Sequence, residues 1–286
     1  MSIPPSRIPL VSRFSPKPAQ TPADPDAEDE IPRIGLVKLA FLAVMVGVIT
    51  GLGAVVFRAL IGLIHNVMFL GEWTTQYDAN LFTPASPWGM WVILVPVAGG
   101  LVVTFLVSKW APEAKGHGVP EVMDAIYYKG GVIRPAVAVV KSLSSAFAIG
   151  SGAAVGREGP IIQIGAALGS TLGQIVRMPA GERIILVAAG AGAGIAATFN
   201  TPLGGVMFAI ELMMPEISVR TFLPVAVATG TATFIGRFFF GIAPAFEVPQ
   251  LAPIAVDGSS LALLCLYALL GAITGVAAAG FVRGLA

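Results

Sequence analysis

The chain reads as an all-α integral membrane protein made of tilted and interrupted helices, and three observations carry that reading. Charged residues are 12% of the 286 and hydrophobic residues 56%, whereas a soluble domain carries about 25% charged residues. Mean hydropathy is +0.84, and several stretches reach the ~20 apolar residues that a bilayer span needs. Glycine and proline then cut the apolar sequence into pieces, some of them too short to cross.

Composition also excludes function classes. A net charge of +1 argues against a nucleic-acid partner. The single cysteine, Cys265, leaves no internal disulfide, and with His65 and His117 as the only imidazoles no metal cluster or other cofactor is expected.

In chain order, residues 1–33 are rich in Pro, Ser and acidic side chains without apolar periodicity, which predicts a disordered tail. No short apolar core with a cleavage site precedes the first span, so a signal peptide is not expected. An apolar segment over 34–68 is longer than a vertical crossing requires and carries Gly47, Gly51 and Gly53 for close helix contact. Residues 69–88 read as a loop whose Trp73 and Tyr77 suit the membrane interface. A second span covers 88–110. Arg33 and Lys38 precede the first span, the loop after it has no Lys or Arg, and Lys109 and Lys115 follow the second. The positive-inside rule therefore places the amino terminus and the 109–118 loop in the cytoplasm.

Beyond this point the helices shorten. Residues 119–128 predict a half-helix that begins at Gly118 and Pro120. Residues 132–149 predict another span, with Arg134 near its start and Lys141 in apolar surroundings. A snorkelling side chain and an interior cation that attracts anions both fit Lys141. A helix is expected from Pro160 to about 176, then a small-residue span over 183–198. Asn200 reads as the cap of a short helix that starts at Pro202 and ends near Glu211. Apolar segments over 222–240 and 261–281 complete the chain.

The stretch 150–173 organises the rest. It places Arg157 and Glu158 side by side between glycines, deep in apolar sequence, and restarts a helix at Pro160. Ionisable residues in such a setting are costly and by default functional. A helix start offers unpaired N–H groups and a partial positive charge, a ready anion site, and the break at Gly118 repeats the device.

The run Gly156-Arg157-Glu158-Gly159-Pro160 resembles the signature of the CLC family of chloride channels and proton-coupled chloride transporters. Gly116-His117-Gly118-Val119-Pro120-Glu121 upstream and Ala197-Thr198-Phe199-Asn200-Thr201-Pro202-Leu203-Gly204-Gly205 downstream support the resemblance, in the family's order. It covers residues 34 to the end. It implies a CLC-type bundle of tilted, broken helices, with the first inverted repeat largely present and the second mostly missing. The 34–286 domain is then incomplete, either a fragment or a chain completed by a separate polypeptide.

The resemblance implies chloride as the transported ligand, protons as the coupled one, and a homodimer in a bacterial inner membrane. The anion-binding backbone would come from Gly118, Val119, Gly159, Pro160 and Ile161, with His117 where relatives usually have serine. Glu158 would gate, occupying the anion's place when ionised and swinging away when protonated, with Arg157, Lys141 and Glu211 in support. Exchangers of the family place a second proton glutamate at the position that Leu212 fills here, so exchange and passive channel both stay open. A non-conducting fragment or structural subunit is a further alternative. An intramembrane hydrolase using Ser151 and His117 is not expected, because no oxyanion hole is legible.

Overall fold

The computed structural model describes residues 34–77, 84–214, 216–242 and 259–285. The tail expected over 1–33 lies outside them. The described residues form α-helices joined by short 3₁₀ and π turns, with no strand among them.

The first helix, α1 (Leu36–His65), continues through a π-helical turn to Leu70, a 35-residue apolar stretch. A 3₁₀ turn at Gly89–Ile93 leads into α2 (Leu94–Trp110). Next come α3 (Val119–Tyr128), α4 (Pro135–Gly150), α5 (Glu158–Ile175) and α6 (Ala180–Phe199). The short α7 (Pro202–Phe208) runs into a π-helical turn at Ala209–Met213, and α8 (Val219–Phe240) follows. Among the described residues five stretches are long and apolar enough to cross a membrane, the last of them within α9 (Ser259–Leu285), which belongs to a separate unit of the chain.

Glycines set the packing of the first unit. Helices α5 and α6 run antiparallel, and a methyl on Gly165 would collide with the Gly190 carbonyl, as one on Gly190 would with that of Gly165. Such small-residue crossings replace the hydrophobic drive that lipid removes between apolar helices. Helix α1 lies parallel to α8: a methyl at Gly47 would stand 2.6 Å from the Ala228 carbonyl, and one at Gly51 2.9 Å from Ile235 Cβ.

A polar clasp gathers the starts of three helices. The Glu182 carboxylate accepts from the Ile34 N–H at 2.7 Å and from the Arg220 guanidinium at 2.5 Å, and Arg220 also donates to the Ile34 carbonyl at 2.6 Å. Helices α1, α6 and α8 therefore begin at one end of the unit and run the same way. A buried carboxylate is tolerated here because the guanidinium is held against it by a second bond.

The structure corrects two local expectations. Asn200 does not cap α7; it ends α6 in the left-handed conformation (φ 57°), and its side chain reaches Ile242 and Arg237. Helix α5 starts at Glu158, two residues before the expected Pro160, because Arg157 is already αR and its carbonyl takes the Ile161 N–H at 3.2 Å.

Candidate functional site

Helix α3 enters through two glycines with left-handed φ, Gly116 (97°) and Gly118 (113°), values that a side chain rarely adopts. Glu121 folds back over this entry and accepts from the Gly118 N–H at 2.8 Å. The Gly118 donor is thus taken from within, and among the first N–H groups of α3 those of Val119 and Glu121 have no helical acceptor; Pro120 has none to offer.

Lys141 of α4 holds the segment that leads to this entry. Its ammonium is buried, the residue only 3% exposed, and donates to the carbonyls of Ala114 at 3.0 Å and Gly116 at 2.8 Å. It does not snorkel. Gln163 of α5, also buried, donates to the Glu113 carbonyl at 3.0 Å and so ties the same segment to α5. Its role was not visible in sequence, although a glutamine inside an apolar helix was the available signal.

The start of α5 meets the start of α3. A methyl on Gly118 would stand 2.6 Å from the Gly159 carbonyl and 3.2 Å from Gln163 Cβ. A methyl on Gly159 would strike the His117 carbonyl and lie 2.9 Å from its imidazole. The structure therefore brings His117, Gly118 and Gly159 together, with His117 and Pro160 lining one cavity, and the two helix starts abut through bare glycine backbone; Val119 and Ile161 follow in the first turns, the Ile161 N–H already taken by the Arg157 carbonyl. Pro160 and Ile161 are buried, while His117 is exposed.

Glu158 stands in the first turn of α5, where a carboxylate is favoured by the helix dipole. It bends back over the start of its own helix: a methyl on Gly156 would collide with its Oε2. Arg157 points elsewhere, its guanidinium 5.4 Å from the centre of the Phe199 ring. Neighbours in sequence thus diverge, the acid toward the helix start and the cation toward the end of α6.

A cavity of about 740 Å³ adjoins the meeting point. Gly116, His117, Gly156 and Pro160 line it from the two starts, Lys141, Ser144 and Ser145 from α4, and Thr104 and Ser108 from α2. Its walls combine apolar surface with hydroxyls and backbone, a setting where partial positive charges can replace part of an anion's hydration without binding it irreversibly.

Glu211 is exposed on the π-helical turn after α7, a turn that touches α3, and Leu212 is exposed beside it. Ser151 donates to the Ala148 carbonyl at 3.2 Å and packs against Gly99 of α2, a structural placement with no contact to His117 among the described residues.

Comparison with known proteins places these features. The sequence profile described as voltage gated chloride channel matches residues 99–286. The H(+)/Cl(-) exchange transporter ClcA of Salmonella schwarzengrund, and likewise that of Salmonella agona, is 36% identical over 240 residues, 83% of this chain and 48% of the relative. The chain therefore spans about half the length of the curated relatives it matches. Among solved structures, a slow cyanobacterial Cl-/H+ antiporter superposes with a TM-score of 0.69 at 25% identity, covering 86% of this chain and 55% of that one. A CLC-type fluoride/proton antiporter shares the fold, with a TM-score of 0.65 at 21% identity over 84% of this chain and 56% of that one. The relatives are transporters, the bundle is theirs, and the glycine-locked helix starts fall inside the matched residues: the chain belongs to the CLC family of voltage-gated chloride channels and chloride transporters.

Proposed function

We propose that this chain carries one half of the pathway of a proton-coupled chloride exchanger, with Glu158 as its gate. One observation supports this above the others: the starts of α3 and α5 abut through Gly118 and Gly159, and the Glu158 carboxylate folds over the second of them. In the exchange cycle the ionised carboxylate takes the place that an anion would occupy against the free N–H groups. Protonation discharges it, the side chain swings off, and chloride enters. One proton and the anion thereby compete for one position, which is what couples their movements. The N–H groups of Val119, Glu121 and Gly159 supply the donors, whereas those of Gly118 and Ile161 are taken by Glu121 and by the Arg157 carbonyl; His117 faces the same space, and Lys141 holds the α3 entry in place. No metal or organic cofactor is needed.

On this reading Ile34 and the clasp face the cytoplasm, and the protein sits in the bacterial inner membrane as a homodimer. A passive chloride channel is the second reading, and Leu212 favours it, since the inner proton acid of family exchangers is absent at that position. The test is reconstitution of the protein, at the length the cell makes it, into chloride-loaded liposomes, with chloride efflux and external pH followed together. Proton uptake driven by a chloride gradient supports exchange; efflux without proton movement supports the channel; no efflux removes both.

A further inference from the structure

At the end of the first unit opposite the Ile34 clasp, three arginines collect. Arg58 lies 22 residues beyond Leu36 in α1, about 33 Å along the helix, roughly the thickness of a bilayer core. Its guanidinium sits 4.5 Å from the centre of the Phe240 ring at the end of α8. One turn earlier on α8, Arg237 donates to Asn200 Oδ1 at 2.6 Å. Asn200 follows Phe199, the ring over which Arg157 lies. The contacts thus run Arg58, Phe240, Arg237, Asn200, Phe199, Arg157, and end beside Glu158. Arg157 and Arg58 are near enough to repel one another, with Tyr77 and Glu158 also acting on Arg157. Among the described residues no carboxylate makes an ion pair with any of the three.

Three guanidiniums against the one carboxylate of Glu158 leave a net positive charge, and an anion among them relieves the repulsion. Two of the guanidiniums lie over phenylalanine rings, contacts that restrain a cation without neutralising it. A guanidinium is also weakly hydrated, so it suits a weakly hydrated anion that must be released again. We propose that Arg58, Arg157 and Arg237 form an anion-collecting site for small monovalent anions at the outer side of Glu158, distinct from the helix-start site. Only the anion's onward passage rests on the transport reading; capture by the arginines does not.

The test reads binding without transport. Chloride-35 NMR line broadening is measured on the purified protein at low ionic strength, with bromide as competitor. Comparison is made with Arg58→Gln/Arg237→Gln, with Arg58→Lys/Arg237→Lys, and with Glu158→Ala as a marker of the inner site. The Gln pair is expected to lose bromide-competable broadening by on the order of threefold to tenfold, and the Lys pair to keep most of it. Addition of ~0.5 M of a non-competing salt should shrink the difference. Thermal melts show whether each variant is folded; if the Gln pair fails to fold, the single Arg58→Gln change is read instead. Unchanged broadening in a folded Gln variant overturns the site. Loss of efflux in the liposome assay alongside intact, arginine-dependent broadening would sink the transport reading and leave this one standing.

Discussion

Gly118 rests against Gly159 so closely that a methyl on the first would stand 2.6 Å from the carbonyl of the second. This contact sets the distance between two helix starts and, through it, the size of the space their N–H groups share. A side chain at either position would push the starts apart. Gly118 also needs its left-handed φ of 113°.

Gly118→Ala is therefore expected to destabilise the protein by about 2 kcal/mol, from overpacking and backbone strain together. Gly100→Ala serves as the control, since nothing lies within 4 Å of its added methyl. Thermal unfolding in detergent should show a clear fall in Tm for the first and little change for the second.

Lys141→Met should leave the Ala114 and Gly116 carbonyls without their buried donor, at a cost of about 1–3 kcal/mol. The damage is local to the α3 entry, so anion binding at the helix starts should weaken more than global stability falls. Parallel measurement of Tm and of halide-dependent protection from unfolding separates the two effects.

The clasp predicts a different pattern. Arg220→Met leaves Glu182 buried against a lone Ile34 N–H and should cost about 2–3 kcal/mol, because a hydrogen bond to a charged group is lost. Since the clasp lies at the far end of α6 from Phe199, halide binding in the folded fraction should be unchanged.

Leu212→Glu restores an acid at the position where family exchangers carry one. Under the exchange reading, proton uptake per chloride released should rise in the liposome assay. Under the channel reading, chloride efflux should continue with no added proton movement.

Much of this architecture was legible in local sequence. The bounds of α3 follow from Gly118 and Pro120 at one end and from Lys129 with the glycine pair 130–131 at the other, cues that lie within a turn of the helix they set. Glycine beside proline at both sites marks two helix starts suited to an anion, and the family resemblance puts them in one site; that they abut through Gly118 and Gly159 needed the fold. The start of α5 was misplaced, since Pro160 suits a first position and nothing in sequence announced that Arg157 would already be helical. Contacts between distant residues were invisible. Ile34 and Glu182 are 148 positions apart, and Arg58 stood as a lone charge in an apolar run until α8 brought Phe240 to it. The hydrogen bonds of Lys141 likewise needed the fold, because its partners are backbone carbonyls that carry no signature of their own.

The gate itself is tested most directly by Glu158→Gln, which keeps the shape of the side chain and removes its charge. Chloride efflux and proton uptake are recorded together in liposomes across a range of pH, for the mutant and the parent. The account predicts that chloride continues to pass, that proton uptake is lost, and that the pH dependence of efflux flattens. Proton uptake persisting at the parent's ratio would contradict it.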